Sequence, residues 1–166
     1  KRGCNMMLTP LFTSPLDTAV GLERTTTQLI KVEMVKGEYR FDFSELKRWI
    51  DLCKKCGIEY YEMSHLFSQW GAKYAPKVVA EVDGKEEKIF GWHTSAVGEY
   101  TRFLKAFLPQ LIEKLKEWNI DQVTYFHISD EPREEHLESY RAAKESLGNM
   151  LDGFHTFDAL SSYEFY

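Results

Sequence analysis

Two carboxylic acids stand side by side in His127-Ile128-Ser129-Asp130-Glu131-Pro132. Adjacent carboxylates repel, which makes it easier to keep one of them protonated near neutral pH. A reaction that must protonate a leaving group needs such an acid. A helix N-terminus just after the pair acts the other way and favours the charged form. Together the two influences allow the pair to split, one acid ionised and one carrying a proton. The structural alternative makes Asp130 a helix cap, Glu131 part of the first turn and Pro132 the opening of the helix. Position favours chemistry. The pair follows Gln122 to Ser129, which reads as a strand, and strand ends are where catalytic groups of α/β folds gather.

A second possible chemistry is weaker. The cysteines are Cys4, Cys53 and Cys56, and Cys53-Lys54-Lys55-Cys56 has CxxC form. Reactive thiols of that kind need a helix N-terminus or positive charge to stabilise thiolate. Here the pair ends a predicted helix just before Gly57, where the helix dipole disfavours it. A zinc site needs two further ligands, and there is no second CxxC and no HxxxH. Cys53 continues the apolar stripe Leu46, Trp49, Ile50, so packing is the better reading. His93, His136 and His155 form no pattern, no metal set emerges, and no cofactor is expected.

The elements that must position Asp130 and Glu131 alternate along the chain. Asn5 to Phe12 is a predicted strand, ended by Thr13-Ser14-Pro15. A hairpin follows, Gln28 to Val35 and Glu38 to Phe43 around Lys36-Gly37. Asp42-Phe43-Ser44-Glu45 has capping-box form and opens a helix carrying Leu46, Trp49, Ile50 and Cys53. Ile58 to Leu66 is the next strand. The aromatic stretch from Phe67 to Gly98 contains a second hairpin around Asp83-Gly84. Tyr100, Phe103, Leu104, Phe107, Leu108, Leu111, Ile112, Leu115 and Trp118 define a long helix, which Pro109 should kink. Gln122 to Ser129 is the third strand. A helix with Leu137, Tyr140, Ala143 or Lys144, and Leu147 leads to a fourth strand, Gly153 to Phe157. Ala159 to Tyr166 is a loop or short helix.

Alternation of this kind implies parallel strands with helices outside. Helix-to-strand connections are short, whereas the first two strand-to-helix connections are long and hold the hairpins. In a (β/α) barrel the active site is built on that side. The expected fold is therefore α/β, a partial (β/α)8 TIM barrel of about four βα units with hairpin insertions, making residues 1–166 a single fragment of a catalytic domain. A doubly wound sheet is the rival, but no Gly-rich phosphate turn follows the first strand.

Composition agrees. The chain has 166 residues, 43% hydrophobic and 14% aromatic, a globular profile too short for a complete barrel of about 250 residues. Its net charge of −5, with charges scattered, gives no footprint for nucleic acid. Its apolar runs are too short for a membrane span. The opening Lys1-Arg2-Gly3-Cys4-Asn5 and the close Tyr163-Glu164-Phe165-Tyr166 suggest an excerpt of a longer chain, and no compartment is assigned.

The sequence resembles the catalytic domain of glycoside hydrolase family 123, the N-acetyl-β-galactosaminidases, and the related bacterial group around them. The matching stretches are Met7-Leu8-Thr9-Pro10-Leu11, Gly57 to Phe67, Trp70-Gly71-Ala72-Lys73-Tyr74-Ala75-Pro76, His127 to Pro132 and Phe157-Asp158-Ala159-Leu160-Ser161. They run nearly end to end here and cover about half of the family's barrel. The resemblance implies substrate-assisted catalysis on terminal β-linked N-acetylgalactosamine or a related N-acetylhexosamine. Glu131 would be the general acid and then the base. Asp130 would orient the 2-acetamido group, whose oxygen attacks the anomeric carbon. The substrate supplies the nucleophile, so no opposing carboxylate is needed, unlike in an ordinary retaining glycosidase.

The carbohydrate reading nominates further residues. Alternation puts Tyr125, His127 and Ser129 on one strand face, so Tyr125 and His127 are candidate sugar contacts, although His127 also fits a core histidine with satisfied hydrogen bonds. His65 ends its strand before the long loop. Trp70 and Trp92 offer indole platforms for sugar C–H faces or pin the loop to the body. Lys73 and Tyr74 suit hydroxyl groups. Asp158 ends the fourth strand on the same side, where an Asp also serves as a cap. The competing functions are a non-catalytic carbohydrate-binding or structural member and a hydrolase of a different sugar on the same fold. An isolated half barrel has two open strand edges and should self-associate or be marginally stable.

Overall fold

The computed structural model describes residues 3–14 and 19–160. The expected break at Pro15 and the tail 161–166 lie outside the described residues. In chain order the elements are β1 (Met6–Thr9), β2 (Lys31–Val35), β3 (Glu38–Asp42), α1 (Ser44–Lys55), β4 (Tyr60–Met63), β5 (Val78–Val82), β6 (Lys85–Phe90), α2 (Glu99–Glu117), β7 (Thr124–Phe126), α3 (Leu137–Leu147) and β8 (His155–Thr156). Single turns of 3-10 helix precede β7 and α3.

The fold is mixed α/β. Its parallel sheet has the order β1-β4-β7-β8, so strands follow one another in space as in sequence. Sequential order means that successive crossovers turn the same way, which leaves the helices on one face. Side chains alternate accordingly. Tyr61, Met63, Thr124 and Phe126 are buried in the helix-side core. The opposite face carries the register row Leu8, Glu62, Tyr125 and His155, each half-buried or exposed. The described strands form an open sheet and close no barrel.

The second sheet has the order β3-β2-β5-β6. Both expected hairpins are present, and a parallel pairing of β2 with β5 joins them. Joining them lets one insertion cover the N-terminal half of α2. Tyr39, Phe41, Phe43 and Phe90 meet Phe103 and Phe107 from α2, with the Tyr39 and Phe103 rings edge to face at 5.0 Å. Burying each such ring contributes about 2–3 kcal/mol, and edge-to-face packing adds about 1 kcal/mol.

Several expectations need correction. The capping box at α1 is not formed: Asp42 accepts from the Ser44 backbone N–H at 2.8 Å and from the Ser44 hydroxyl, while Glu45 pairs with Arg48. Asp42 thus sits one residue too early and makes a local turn instead. α2, by contrast, is present over the expected span, with Pro109 inside it. Pro132 does not open a helix, because α3 begins only at Leu137 and the segment before it is a bend and one 3-10 turn. Asp130 is therefore no helix cap and Glu131 no first-turn residue. The strands are shorter than their apolar runs, since the residues beyond their ends bond to loops instead of to neighbouring strands.

Candidate active site

The chain leaving β7 is held by the loop leaving β4. Backbone N–H groups of Leu66, Phe67 and Trp70 donate to the carbonyls of His127, Ile128 and Asp130 at 3.0, 3.0 and 2.8 Å. The Ser129 hydroxyl donates to the Ser68 carbonyl at 2.8 Å, and the buried Tyr100 hydroxyl donates to the Leu66 carbonyl at 2.6 Å. Residues 127–130 thus have fixed backbone partners although they belong to no strand. Backbone order of this kind is what a carboxylate pair needs to keep its geometry.

Asp158 completes the anchoring. Its Oδ1 accepts from the backbone N–H of Ile128 at 2.9 Å and of Ser129 at 3.3 Å, and its Oδ2 accepts from the Tyr140 hydroxyl at 2.6 Å. The side chain is 4% exposed. It ties the end of β8 and helix α3 to the segment that carries Asp130 and Glu131. Burial, then the Asp158 contact, raises the Tyr140 phenol well above its usual range and keeps it a donor.

His127 lies between two carboxylates. Its Nε2–H donates to Glu62 Oε1 at 2.7 Å and its Nδ1–H to Asp158 Oδ1 at 3.2 Å. Both nitrogens donate only when the ring is an imidazolium. Burial pulls the His127 pKa down, but its hydrogen bonds to Asp158 and Glu62 outweigh that, and the net shift is upward. His65 stacks on His127 with ring centroids 4.2 Å apart. Burial, then the charge of His127, lowers the His65 pKa to about 3. A neutral His65 forms no ion pair with Asp130, whose Oδ1 lies 3.9 Å from its Nε2. His65 Nδ1 is buried and has no hydrogen-bond partner among the described residues.

Asp130 is half-buried against this histidine pair, whereas Glu131 is exposed. Glu131 adopts φ 42°, in the left-handed region that a residue with a Cβ enters only at a cost of about 1 kcal/mol. That twist breaks the strand-like path immediately after Asp130, so the two neighbours have different surroundings: one set against imidazoles, the other in solvent.

The remaining nominated residues fall into two places. Trp70, itself at φ 57°, lines a shallow hollow of about 290 Å³ with Arg133, Glu135 and His136, next to Asp130 along the chain path. Gly71 lets that loop approach α3 closely; a Cβ there would lie 2.4 Å from His136 Cβ. Trp92 and Tyr74 pack edge to face at 5.7 Å elsewhere, and the Trp92 indole N–H donates to the Leu22 carbonyl at 2.9 Å. Trp92 therefore makes the loop-pinning contact. The Lys73 side chain is exposed, and its backbone carbonyl accepts from Ala96. Tyr125 is half-buried on the open sheet face, between Tyr60 and His155. Of the cysteine pair, Cys53 is buried and Cys56 exposed, and burial raises the Cys53 thiol. Among the described residues, no group of three or more His, Cys, Asp or Glu is disposed to hold a metal ion.

Sequence reasoning missed Glu62 and Tyr140 as site residues. Tyr140 reads as an ordinary apolar helix position. Glu62 had a signal: it alternates with Tyr60 on the strand face opposite Tyr61 and Met63, where a mid-strand carboxylate needs a reason.

The glycoside hydrolase 123 catalytic-domain family matches residues 1–166, the whole chain. This chain belongs to glycoside hydrolase family 123. Family 123 is also where a solved structure with the same fold is found, a glycoside hydrolase from Clostridium perfringens described in terms of glycolipid glycan hydrolysis. The two share 19% sequence identity at a TM-score of 0.61, with 80% of this chain and 23% of that chain covered. Likeness at that identity is one of fold, and this family 123 chain spans about a quarter of the relative's length. No curated protein matches it.

Proposed function

We propose that this chain carries the catalytic pair of a retaining, exo-acting glycosidase of terminal β-linked N-acetylgalactosamine or a related N-acetylhexosamine. Its sheet is read as four consecutive units of a (β/α)8 barrel, with the hairpin sheet as an insertion on the active-site side. The observation that carries the proposal is the position of Asp130 and Glu131 just beyond β7, in a family 123 catalytic domain, with contrasting surroundings.

Glu131, as the general acid, gives a proton to the glycosidic oxygen as the bond to the anomeric carbon breaks. The carbonyl oxygen of the 2-acetamido group forms the new bond to that carbon, giving an oxazolinium ion. Asp130 accepts the acetamide N–H and stabilises the developing positive charge. A water then gives a proton to the Glu131 carboxylate and its oxygen to the anomeric carbon, which reopens the oxazolinium with net retention. The relative's glycolipid glycans support a glycan or glycolipid terminus as the substrate class.

The test uses the full-length polypeptide. Glu131→Gln should lower turnover of natural glycosides at least 1,000-fold and spare activated aryl glycosides, whose leaving groups need little protonation. A substrate with a 2-hydroxyl in place of the 2-acetamido group should be inert, and a thiazoline mimic of the oxazolinium should inhibit. Unchanged activity in Glu131→Gln, or ready hydrolysis of the 2-hydroxyl substrate, would overturn the assignment.

A further inference from the structure

The open face of the parallel sheet holds a carboxylate that the mechanism above does not use. Glu62 lies near the C-terminal end of β4, and its side chain is 27% exposed. Among the described residues its one hydrogen-bond partner is His127, which donates to Oε1 at 2.7 Å. That contact comes from a buried imidazole that Asp158 holds from the other side. Freezing a Glu side chain costs rotamer entropy, and here the fold has met that cost before any ligand arrives. Oε1 is committed while the second oxygen is left to the open face.

An ionised carboxylate only accepts hydrogen bonds, so its complement is a donor or a pair of donors. The groups beside it are aromatic. Tyr60 precedes Glu62 by two residues on the same face, and Tyr125 is its cross-strand partner in register. The two rings are 6.3 Å apart and both are half-buried. A fixed carboxylate flanked by rings that present apolar faces is the composition that recognises a polyol, with hydroxyls on the acid and C–H groups on the rings. Glu62 bonds His127, His127 stacks on His65, and His65 Nε2 lies 3.9 Å from Asp130 Oδ1, so a short relay of side chains joins this carboxylate to the catalytic pair.

We infer that Glu62 is the sugar-binding carboxylate of this site, accepting hydrogen bonds from ring hydroxyls of the substrate, with His127 as the clamp that aims it. The inference rests on the glycosidase reading and adds the residue that selects among hydroxyl patterns. A site built to bond a hydroxyl rejects the analogue that lacks it far more strongly than an apolar pocket rejects a methylene.

The experiment compares the full-length protein with its Glu62→Gln variant on an aryl N-acetylgalactosaminide and on its 3-, 4- and 6-deoxy analogues. Gln keeps an oxygen for His127, and matching thermal midpoints confirm that the variant folds. The native protein should lose at least about 100-fold in kcat/KM at one deoxy position or more. Glu62→Gln should be about as slow on the parent glycoside and lose little further on that same analogue. Deoxy penalties that are identical in both proteins, or a variant within about threefold of the native protein on the parent, would overturn the inference. If the native protein turns over none of these glycosides, it is the glycosidase reading that fails. Calorimetric titration of N-acetylgalactosamine then decides on Glu62: binding weakened at least tenfold in Glu62→Gln supports it, and equal binding or none in the native protein overturns it.

Discussion

Removing the Asp158 carboxylate would leave the Ile128 and Ser129 N–H groups, the Tyr140 hydroxyl and the His127 ring facing an uncompensated hole. Breaking a buried, hydrogen-bonded charge network costs about 3–5 kcal/mol, so Asp158→Ala should lower the free energy of unfolding by that amount in urea titrations. Glu131 is expected to behave oppositely. Glu131→Gly relieves the left-handed backbone, offsetting the extra freedom glycine has when unfolded, and should be neutral to about 1 kcal/mol stabilising while activity is lost. The histidine pair gives stability a maximum near neutral pH. His65 is held below its unfolded value, so between about pH 6.5 and about pH 3 the unfolded chain binds a proton that the folded chain refuses, and stability falls as pH falls. His127 is raised, so its contribution is fully present below the unfolded value and lost as pH climbs through the folded one. His65→Gln should flatten the acid limb of a stability-against-pH curve and leave the alkaline limb. At this scale the carboxylate pair was legible from its place after an apolar run. The clamp was not, because Glu62, His127 and Asp158 come from three segments and meet only through strand register.

The loop after β4 and helix α3 touch through Gly71. Its φ is +99° and an added Cβ would meet His136 Cβ at 2.4 Å, so Gly71→Ala is strained in both backbone and packing. A loss of at least about 2 kcal/mol should follow in thermal or urea unfolding, and the Trp70 hollow should be the first region to lose amide protection. In α2, Phe103→Ala removes a fully buried ring at the centre of the aromatic cluster and should cost about 3–5 kcal/mol. α2 was the most legible element because its apolar spacing leaves one solution. Ala143, not Lys144, proves to be the inward position of α3. The start of α3 was misjudged for a local reason: Pro132 suits a first helical turn, but the chain must first pass Glu131 in a left-handed conformation and then bury Pro132.

For the whole molecule, the outer edges of β1 and β8 have no strand partner among the described residues, and Leu8 and Phe157 stay exposed at 38% and 39%. The isolated 166-residue chain should therefore show a concentration-dependent mass in sedimentation experiments, whereas a longer polypeptide that covers those edges should not. The uneven lengths of the connections already indicated which end of the sheet carries the long loops, the end beyond which Asp130 and Glu131 follow β7. The union of the two hairpins was illegible, since it depends on pairing residues as distant in sequence as Glu33 and Glu81. That union sets an order of events in folding. Each hairpin closes locally within microseconds, but the β2–β5 ladder must wait for a search across the intervening helix and strand. Pulse-labelled hydrogen exchange during refolding should find the amides between β2 and β3 protected early and those between β2 and β5 late. The roof over α2 would thus be assembled from two prefabricated halves.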